Sequence, residues 1–463
     1  MIAIPLIAGL IIRLLPLQYV FGDVIRFNSV DAYYYVIGYG KWGEFIGLFP
    51  DRYIAAVVLP VIFSLINIVV VYFIAKQLFN DKKISIISTV ILSIMSGEYL
   101  VRTSLGAGDT HALEILLLST AILFTIMIIR SNHRILYIVP LLVVIYLYAL
   151  VWQGWLLVLF IMLMAVCLKL LITAQKWYYY ILFIGALWIG ADMLRFYLPE
   201  FASSALSVFT WNTTNTIYEA QPLFIQNGQF TISPLFSNFG LSFCGLIGLM
   251  VINKNNFDYV LFIGWTLVLL AMTLAQERFA YYLAVPLSII AGYTIWYINQ
   301  GILSKSKFKQ VLLYGIIIVP LLVGSVRQNM SNTLYMTDSW VETCQWLKEQ
   351  PHKTILTWWD YGYYVKEAGH KVLDSPGRPV DSNYQYKPTN EIAEMLTGKR
   401  LITADLIIVD EAMVTVKLDH IMKFAKVDDC IGLLLCRLYA DEQVDGFKEV
   451  FRSNDSKVKV YER

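Results

Sequence analysis

Residues 54–75 read IAAVVLPVIFSLINIVVVYFIA, a run of 22 residues that contains no charged side chain. An α-helix of about 20 apolar residues crosses the hydrocarbon core of a bilayer, so this run predicts a transmembrane helix. The whole chain has the same character, because 58% of its 463 residues are hydrophobic and only 15% are charged. That composition excludes an ordinary soluble globular protein and indicates a polytopic membrane protein.

Further apolar runs of comparable length bring the predicted number of spans to about eleven. The predicted spans are residues 1–21, 54–75, 84–101, 109–129, 135–152, 154–173, 178–197, 238–253, 258–275, 279–299 and 309–326. The first run lacks a basic start and a small-residue cleavage site, so we interpret it as a retained span rather than a removed signal.

Basic residues occur in alternate loops, and the positive-inside rule gives the orientation of the chain from them. One set of loops, predicted to be cytoplasmic, carries Lys76, Lys82, Lys83, Arg130, Arg134, Lys169, Lys176, Lys254, Lys305, Lys307 and Lys309. The opposite loops are residues 22–53, 102–109, 198–237 and the turn at Glu277-Arg278. These loops and the tail that follows the last span are predicted to face outward. The net charge of +2 indicates no basic nucleic-acid surface.

Two domains are expected, a transmembrane region over residues 1–326 and an extracytoplasmic domain over residues 327–463. The second alternates helical and extended patterns, which predicts a small α/β domain. Helices are expected at 337–349, 389–397 and 411–425, and strands at 354–358, 371–374, 405–409, 431–437 and 457–461. This domain contains Cys344, Cys430 and Cys436, an odd number that cannot all pair, and a Cys430–Cys436 bridge is one option.

Beyond the last span, residues 356–364 read LTWWDYGYY. Two adjacent tryptophans are costly to expose to water, and an aspartate among aromatic residues is costly to bury without a partner. The stretch therefore predicts a preformed pocket for a small polar group. A buried aromatic turn at the end of a strand is the alternative interpretation.

The second outer loop, residues 102–111, reads RTSLGAGDTH. Its two glycines allow a tight turn, and Asp109 and His111 then offer an oxygen and a nitrogen ligand two residues apart. Together with Asp31 from the first outer loop they predict a divalent-metal site, in which carboxylates favour Mg²⁺ or Mn²⁺ and histidine favours Mn²⁺. Arg102 is suited to bind a phosphate near such a metal.

Each of these carboxylates also has a simpler interpretation. Asp31 precedes a run of tyrosines in DAYYY, and a carboxylate at the membrane surface can be merely solvated. Asp109 precedes a helix, where aspartate is a favoured N-cap.

Other polar positions stand out in the outward segments. The polar stretch 211–222 is either a connector or a moving lid, and it carries Glu219. Glu219 is unremarkable by itself, but in a protein that binds a neutral amide it would be a second hydrogen-bond acceptor. Arg278 precedes aromatic residues at the outer interface, where it either anchors the span or contacts an incoming peptide. One helical face, which is either core or a wall of the pocket, carries Asp410, Met413, Lys417 and Ile421.

Together these motifs resemble the catalytic subunit of oligosaccharyltransferase, in particular its single-subunit archaeal and bacterial forms. WWDYG at residues 358–362 is the signature of that family, and it is accompanied by DAYYY around Asp31, by GxxDxH from Gly106 and by TIxE ending at Glu219. The resemblance covers most of the chain. The chain departs from it in having fewer predicted spans and a shorter tail, and in a variant motif after the pocket that leaves the role of Lys417 open.

The resemblance implies a GT-C-type membrane glycosyltransferase that moves a preassembled glycan from a polyprenyl phosphate or diphosphate carrier to Asn in Asn-x-Ser/Thr, with inversion. The implied catalytic residues are Asp31, Glu219 and Arg102, and the implied ligands of Mn²⁺ or Mg²⁺ are Asp31, Asp109 and His111. Arg102 is the implied site for the lipid phosphate. The implied peptide-binding residues are Trp358, Trp359, Asp360, Tyr361, Gly362, Met413, Arg278 and Glu219.

The expected partners are therefore a lipid-linked oligosaccharide, acceptor polypeptides and membrane lipid, without nucleic acid and without further subunits. The expected location is the plasma membrane, with the catalytic outer loops 22–53, 102–111 and 198–237 and the C-terminal domain outside the cytoplasm. Two other functions stay open at this point. A lipid-modifying GT-C glycosyltransferase needs no peptide pocket, and a catalytically silent scaffold or lipid-glycan binder does not need the carboxylates that this chain retains.

Overall fold

A computed structural model describes most of the chain. The described residues are 2–22, 24–38, 40–152, 154–174, 181, 184–185, 221–226, 229–252, 256–301, 306–331, 336–373 and 389–463. They form two compact units, Met1–Gln18 with Ala55–Asn332, and Tyr19–Ile54 with Thr333–Arg463. We call these the membrane unit and the outer unit. The first outer loop, placed in residues 1–326 by the sequence, clusters with the C-terminal residues instead.

The membrane unit is built from apolar helices. In the described part of the chain, eight helical segments are long and apolar enough to cross a membrane: Ala3–Val20, Arg52–Phe79, His111–Arg130, Trp155–Ile172, Ser233–Met250, Phe257–Ala275, Glu277–Gly301 and Lys307–Ser331. Ile135–Val151 is a shorter apolar helix, and a small hairpin pairs β1 (Ile225–Gln226) with β2 (Gln229–Phe230). These segments agree with the predicted spans, whereas the predicted span 178–197 lies almost wholly outside the described residues.

The predicted span 84–101 differs from the structure. It consists of a 12-residue helix, Lys82–Ser93, and a separate helix, Glu98–Thr103. Between these two helices, side chains from other helices bind the backbone. Gln328 accepts a hydrogen bond from the Gly97 N–H at 2.7 Å, and Asn238 accepts one from the Glu98 N–H at 2.8 Å. Twelve residues rise only about 18 Å, which is too short to cross the hydrocarbon core.

The outer unit contains a five-stranded sheet in the order β4-β3-β5-β7-β6. Its strands are β3 (Thr354–Leu356), β4 (Lys371–Val372), β5 (Leu406–Asp410), β6 (Lys448–Arg452) and β7 (Val458–Glu462). β3 pairs in parallel with β4 and β5, whereas β7 is antiparallel to both β5 and β6. β5 is buried along its whole length, as a central strand covered on both faces requires.

Short helices surround this sheet. They are Val30–Val36, Gly40–Ile46, Asp338–Lys348, Gly362–Glu367, Thr389–Leu396, Glu411–Thr415, Leu418–Ala425 and Leu434–Tyr439. The expected α/β character is confirmed, as are the helices near 337–349 and 389–397. The expected strand at 431–437 is wrong, because Leu434, Leu435 and Leu438 form one buried helical face. Cys430 and Cys436 form a disulfide before and within this helix.

Candidate active site

Asp31 lies in the first turn of the helix Val30–Val36, where a carboxylate interacts favourably with the unpaired N–H groups of the helix start. Tyr33 and Tyr34 form the buried side of this helix and are 1% and 8% exposed. Asp31 itself is only partly buried. The sequence DAYYY thus fixes a short helix by its aromatic face and leaves its carboxylate at the edge.

The WWDYG motif begins where β3 ends. Trp358 is 3% exposed, whereas Trp359 and Asp360 are partly buried and form a single 3₁₀ turn with Tyr361. The Tyr361 ring stacks on Trp340 with the centroids 4.5 Å apart, which holds this turn against the helix Asp338–Lys348. The helix Gly362–Glu367 follows directly, so the motif joins a buried strand to a buried helix.

The structure brings the Asp31 helix and the WWDYG helix together within the outer unit. The rings of Tyr33 and Tyr364 meet edge to face with centroids 4.8 Å apart, and those of Tyr34 and Tyr363 are 5.5 Å apart. The Tyr33 hydroxyl donates to Met336 Sδ at 3.4 Å, and burial raises the pKa of Tyr33, so the phenol stays neutral as this donor requires. Aromatic packing therefore links the two motifs, which lie more than three hundred residues apart.

Lys417 contacts the motif directly. Its ammonium forms an ion pair and hydrogen bond with Asp360 and lies 4.2 Å from the centre of the Tyr361 ring. The side chains of Lys417 and Asp360 are 18% and 14% exposed, so this pair is largely removed from water. The residue whose role the sequence left open is thus the partner of the motif carboxylate.

Asp410 organises the wall behind this pair. It accepts from Trp340 Nε1 at 2.9 Å and, as the N-cap of the helix Glu411–Thr415, from the Met413 N–H at 2.8 Å. Burial raises the pKa of Asp410 despite these donors, and burial together with the Asp410 charge raises that of Tyr361. Met413 is fully buried and packs into the core of the outer unit.

The second outer loop belongs to the membrane unit and is fixed by neighbouring helices. The Leu105 and Gly106 N–H groups donate to the carbonyls of Arg13 and Val57, at 3.1 and 3.2 Å. Gly106 and Gly108 have φ angles of 84° and 65°, a region that glycine enters at little cost, and the predicted tight turn is confirmed.

This turn places Asp109 and His111 side by side. Asp109 is 4% exposed, and its Oδ1 accepts from the N–H of Thr110 at 2.6 Å. Its Oδ2 lies 3.3 Å from His111 Nε2. His111 begins the span His111–Arg130, and its other ring nitrogen, Nδ1, is buried without a hydrogen-bond partner.

These two side chains fit a shared divalent ion. Metal–ligand bonds of about 2.1 Å at right angles put adjacent donor atoms about 3 Å apart, close to the spacing seen here. Among the described residues, no three His, Cys, Asp or Glu side chains form a metal-binding group. The third expected ligand, Asp31, belongs to the outer unit.

The two arginines have partners of their own. Arg102 Nε lies 3.1 Å from Glu98 Oε2, one helical turn before it. Arg278 Nε donates to Gln276 Oε1 at 2.8 Å, and its guanidinium lies 5.6 Å from the centre of the Phe279 ring. These Arg278 contacts fit both proposed roles, anchoring of the span and contact with a peptide. Glu219 lies outside the described residues.

Comparisons with known proteins show which proteins this chain is similar to. Residues 43–225 match the family model described as oligosaccharyl transferase STT3, N-terminal. Dolichyl-phosphooligosaccharide-protein glycotransferase 3 of Archaeoglobus fulgidus is 20% identical over 45% of this chain and 30% of its own length. Glycotransferase 2 of Pyrococcus horikoshii is 26% identical over 43% of this chain and 26% of its own length. The matched segments thus span less than a third of either relative.

The structural likeness extends over nearly the whole chain. The apo crystal structure of the A. fulgidus oligosaccharyltransferase has a TM-score of 0.75 at 15% identity and covers 98% of this chain and 80% of that one. The chain resembles the STT3 oligosaccharyltransferases. It has their GT-C-type membrane fold, with a small C-terminal α/β domain. Other structures of the A. fulgidus enzyme contain an inhibitory peptide with dolichol-phosphate, a tethered NVT sequon peptide, or Zn and sulfate.

One carboxylate beside the candidate metal ligands is not among the residues that the sequence motifs indicate. Glu114 is 2% exposed, and its Oε2 lies 3.6 Å from His111 Nδ1. The signal was present in the sequence, because residues three apart on a helix share a face and Glu114 is an acidic residue inside a predicted span. The apolar residues that flank Glu114 in the sequence dominate the pattern and indicate only a membrane span.

Proposed function

We propose that this chain is the catalytic subunit of an oligosaccharyltransferase. It transfers a preassembled glycan from a polyprenyl phosphate or diphosphate to the side chain of Asn in Asn-x-Ser/Thr. The observation that carries the proposal is the packing of the Asp31 helix against the WWDYG helix, through Tyr33 on Tyr364 and Tyr34 on Tyr363. A carboxylate and the polar WWDYG motif on one compact unit suit an enzyme that must align an asparagine with a hydroxyl two residues later.

The acceptor amide is a poor nucleophile because its nitrogen lone pair is delocalised. Asp31 and Glu219 accept hydrogen bonds from the amide NH₂ group and favour a more reactive geometry. As the new bond forms between the anomeric carbon and nitrogen, the bond from that carbon to the phosphate oxygen breaks and the lipid phosphate leaves. The amide loses one proton to one of these carboxylates. Attack opposite the leaving phosphate inverts the anomeric configuration.

Asp31, Asp109 and His111 hold a divalent ion, Mn²⁺ or Mg²⁺, in this proposal. When bound, the ion supplies positive charge that stabilises the leaving phosphate. The support is the 3.3 Å approach of Asp109 Oδ2 to His111 Nε2, together with the sequence motif around Asp31. Arg102 adds a second positive charge for the phosphate once it is released from Glu98, its partner in this structure.

Trp358, Trp359 and Asp360 receive the Ser or Thr hydroxyl, with Tyr361 and Gly362 shaping the turn beneath them. Losing a hydroxyl partner in a buried site costs about 1–3 kcal/mol, which is enough to reject Ala at that position. Met413 contacts the Thr methyl group after a side-chain shift from its buried position, and Arg278 contacts the acceptor peptide. The enzyme acts as a single subunit in the plasma membrane, with this site outside the cytoplasm.

Purified protein, a fluorescent Asn-x-Thr peptide, a lipid-linked oligosaccharide and Mn²⁺ test the proposal directly. Transfer is expected to retard the peptide on a gel, and Asp109→Ala is expected to abolish the retardation. No retardation under conditions in which the A. fulgidus enzyme gives one would refute the proposed function. Retardation that survives Asp109→Ala would refute the metal assignment alone. Glycan transfer to lipid without transfer to peptide would favour a lipid-modifying enzyme.

A further inference from the structure

Glu114 is a carboxylate buried inside a membrane-spanning helix. It lies one turn after His111 in the span His111–Arg130 and is 2% exposed. An ionisable side chain at membrane depth is costly, so its presence calls for a function or a close set of partners. It faces His111, a residue of the candidate metal site.

Hydroxyl donors hold both oxygens of Glu114. Thr110 Oγ1 donates to Oε1 at 2.5 Å, and Tyr282 Oη donates to Oε2 at 2.6 Å. The Tyr282 oxygen lies in turn 3.0 Å from the hydroxyl of Tyr148, and Tyr281 approaches Glu114 Oε2 at 3.5 Å. The carboxylate is therefore held at both oxygens, by the turn before its own helix and by the helix Ala280–Gly301.

His111 lies between two carboxylates, one at each ring nitrogen. Nε2 is 3.3 Å from Asp109 Oδ2, and Nδ1 is 3.6 Å from Glu114 Oε2. The two ring nitrogens direct their bonding positions away from each other, so one ion bound at Nε2 and Asp109 is out of reach of Glu114. A small approach would turn the contact at Nδ1, which has no hydrogen-bond partner, into an N–H···O bond.

The donors already bound decide which carboxylate faces the ion. The Thr110 N–H donates to Asp109 Oδ1, which leaves Oδ2 on the side of Nε2. Glu114 has donors on both of its oxygens. Asp109 is thus the carboxylate with an oxygen available as a ligand, and Glu114 is the one suited to accept from the ring.

We propose that Glu114 is a positioning residue that accepts a hydrogen bond from His111 Nδ1–H and so leaves Nε2 unprotonated and aimed at the divalent ion. The inference rests on the metal assignment in the proposed function. Histidine ligands in metalloproteins usually donate their second ring N–H to a carboxylate or carbonyl, which fixes both the tautomer and the ring orientation. The buried hydroxyls of Tyr282 and Tyr148 extend this support one step further.

Titration of Mn²⁺ alone into the purified full-length chain, with free Mn²⁺ followed by electron paramagnetic resonance, tests this role. Loss of such a support typically weakens metal binding by about 10- to 100-fold, so Glu114→Ala is expected to raise the Kd by that factor. Glu114→Gln retains an acceptor oxygen, so its Kd is expected to lie between those of the wild type and Glu114→Ala. Asp258→Asn is the matched control, because Asp258 is also buried in a span but pairs with Arg130.

A Kd for Glu114→Ala within twofold of the wild-type value would overturn the proposal, as would an equal loss in Asp258→Asn. A second measurement separates positioning from general damage. The chain has five histidines, and ¹⁵N ring labelling reports their tautomers, with the His111 signal assigned by its loss in His111→Asn. The wild type and Glu114→Gln are expected to hold His111 in the Nδ1–H form. Glu114→Ala is expected to show a mixture of the two tautomers. An Nε2–H form in the wild type would also overturn the proposal.

The outcomes distinguish this inference from the proposed function. If the wild-type protein binds Mn²⁺, Glu114→Ala weakens that binding and no glycan is transferred, the inference stands and the proposed function is refuted. Wild-type protein that transfers glycan without binding Mn²⁺ refutes the inference and leaves the transfer reaction standing.

Discussion

Replacing Lys417 with methionine is expected to weaken the preference of the enzyme for Thr over Val at the third sequon position. Val has nearly the shape of Thr but no hydroxyl, so this preference measures recognition of the hydroxyl alone. Asp360 is the proposed acceptor for that hydroxyl, and Lys417 is its ion-pair partner in this structure. Without the ammonium group, Asp360 has no fixed partner and turns towards water.

The exposure of the pair sets the size of the effect. Exposed ion pairs contribute about 0–1 kcal/mol, whereas removing one partner of a fully buried pair costs about 3–5 kcal/mol. Side chains that are 18% and 14% exposed lie between these limits. A hydroxyl partner is worth about 1–3 kcal/mol, or roughly 5- to 150-fold in kcat/KM for Thr against Val. Lys417→Met is expected to reduce that ratio by about tenfold, the equivalent of about 1.4 kcal/mol.

Competition between Asn-x-Thr and Asn-x-Val peptides in one reaction gives the ratio directly, and general damage to the enzyme cancels. Asp360→Asn, Lys417→Met and the double variant complete a cycle, in which the double variant should be no worse than either single one. Lys448→Met removes the same charge from an exposed position on β6 and serves as the control. A ratio in Lys417→Met within twofold of the wild-type value would refute the reasoning, as would losses that simply multiply in the double variant.

Further tests address the other parts of the site. Tyr33→Ala is expected to lower the free energy of unfolding by about 3–5 kcal/mol and to impair transfer, measured by thermal denaturation and gel shift, with the 40% exposed Tyr19 as the control position. Burial raises the pKa of Asp410 above its ordinary 3.8, so the folded state binds this proton more tightly than the unfolded state, and stability should fall as pH rises from about 4 through the raised value. Asp410→Asn should remove that fall, and an unchanged pH profile of melting temperature would contradict it. EDTA is expected to abolish transfer, and added Mn²⁺ to restore it in the wild type but not in Asp109→Ala.

Long charge-free runs gave the membrane class correctly, because about 20 apolar residues have few stable alternatives to a span. Residues 82–103 were harder, because the helix break there depends on side chains of Asn238 and Gln328, which no local pattern reveals. The strand predicted over residues 431–437 is wrong for a related reason. A few apolar residues suit a buried strand and a buried helix equally, and only the packing of Leu438 on the same face decides.

The sequence predicts the motifs of the candidate site but not which residues contact one another within it. Asp109 and His111 are close in sequence, so their 3.3 Å approach follows from a local turn. The ion pair of Asp360 with Lys417 joins residues 57 positions apart, and the packing of Tyr33 on Tyr364 joins positions still further apart. Such contacts depend on the tertiary fold. Residue type alone therefore left Lys417 without a role and Glu114 unnoticed.

The clustering of residues 19–54 with the C-terminal residues has a practical consequence for protein engineering. A chimera that takes its C-terminal domain from a relative with a different sequon preference would replace Tyr363 and Tyr364 but keep the native Tyr33 and Tyr34, so the graft would face a foreign aromatic surface. The segment to exchange therefore consists of two separate parts of the chain, the first outer loop and the C-terminal domain. Directed evolution of acceptor preference is accordingly better served by libraries that vary both segments together than by shuffling at a single junction.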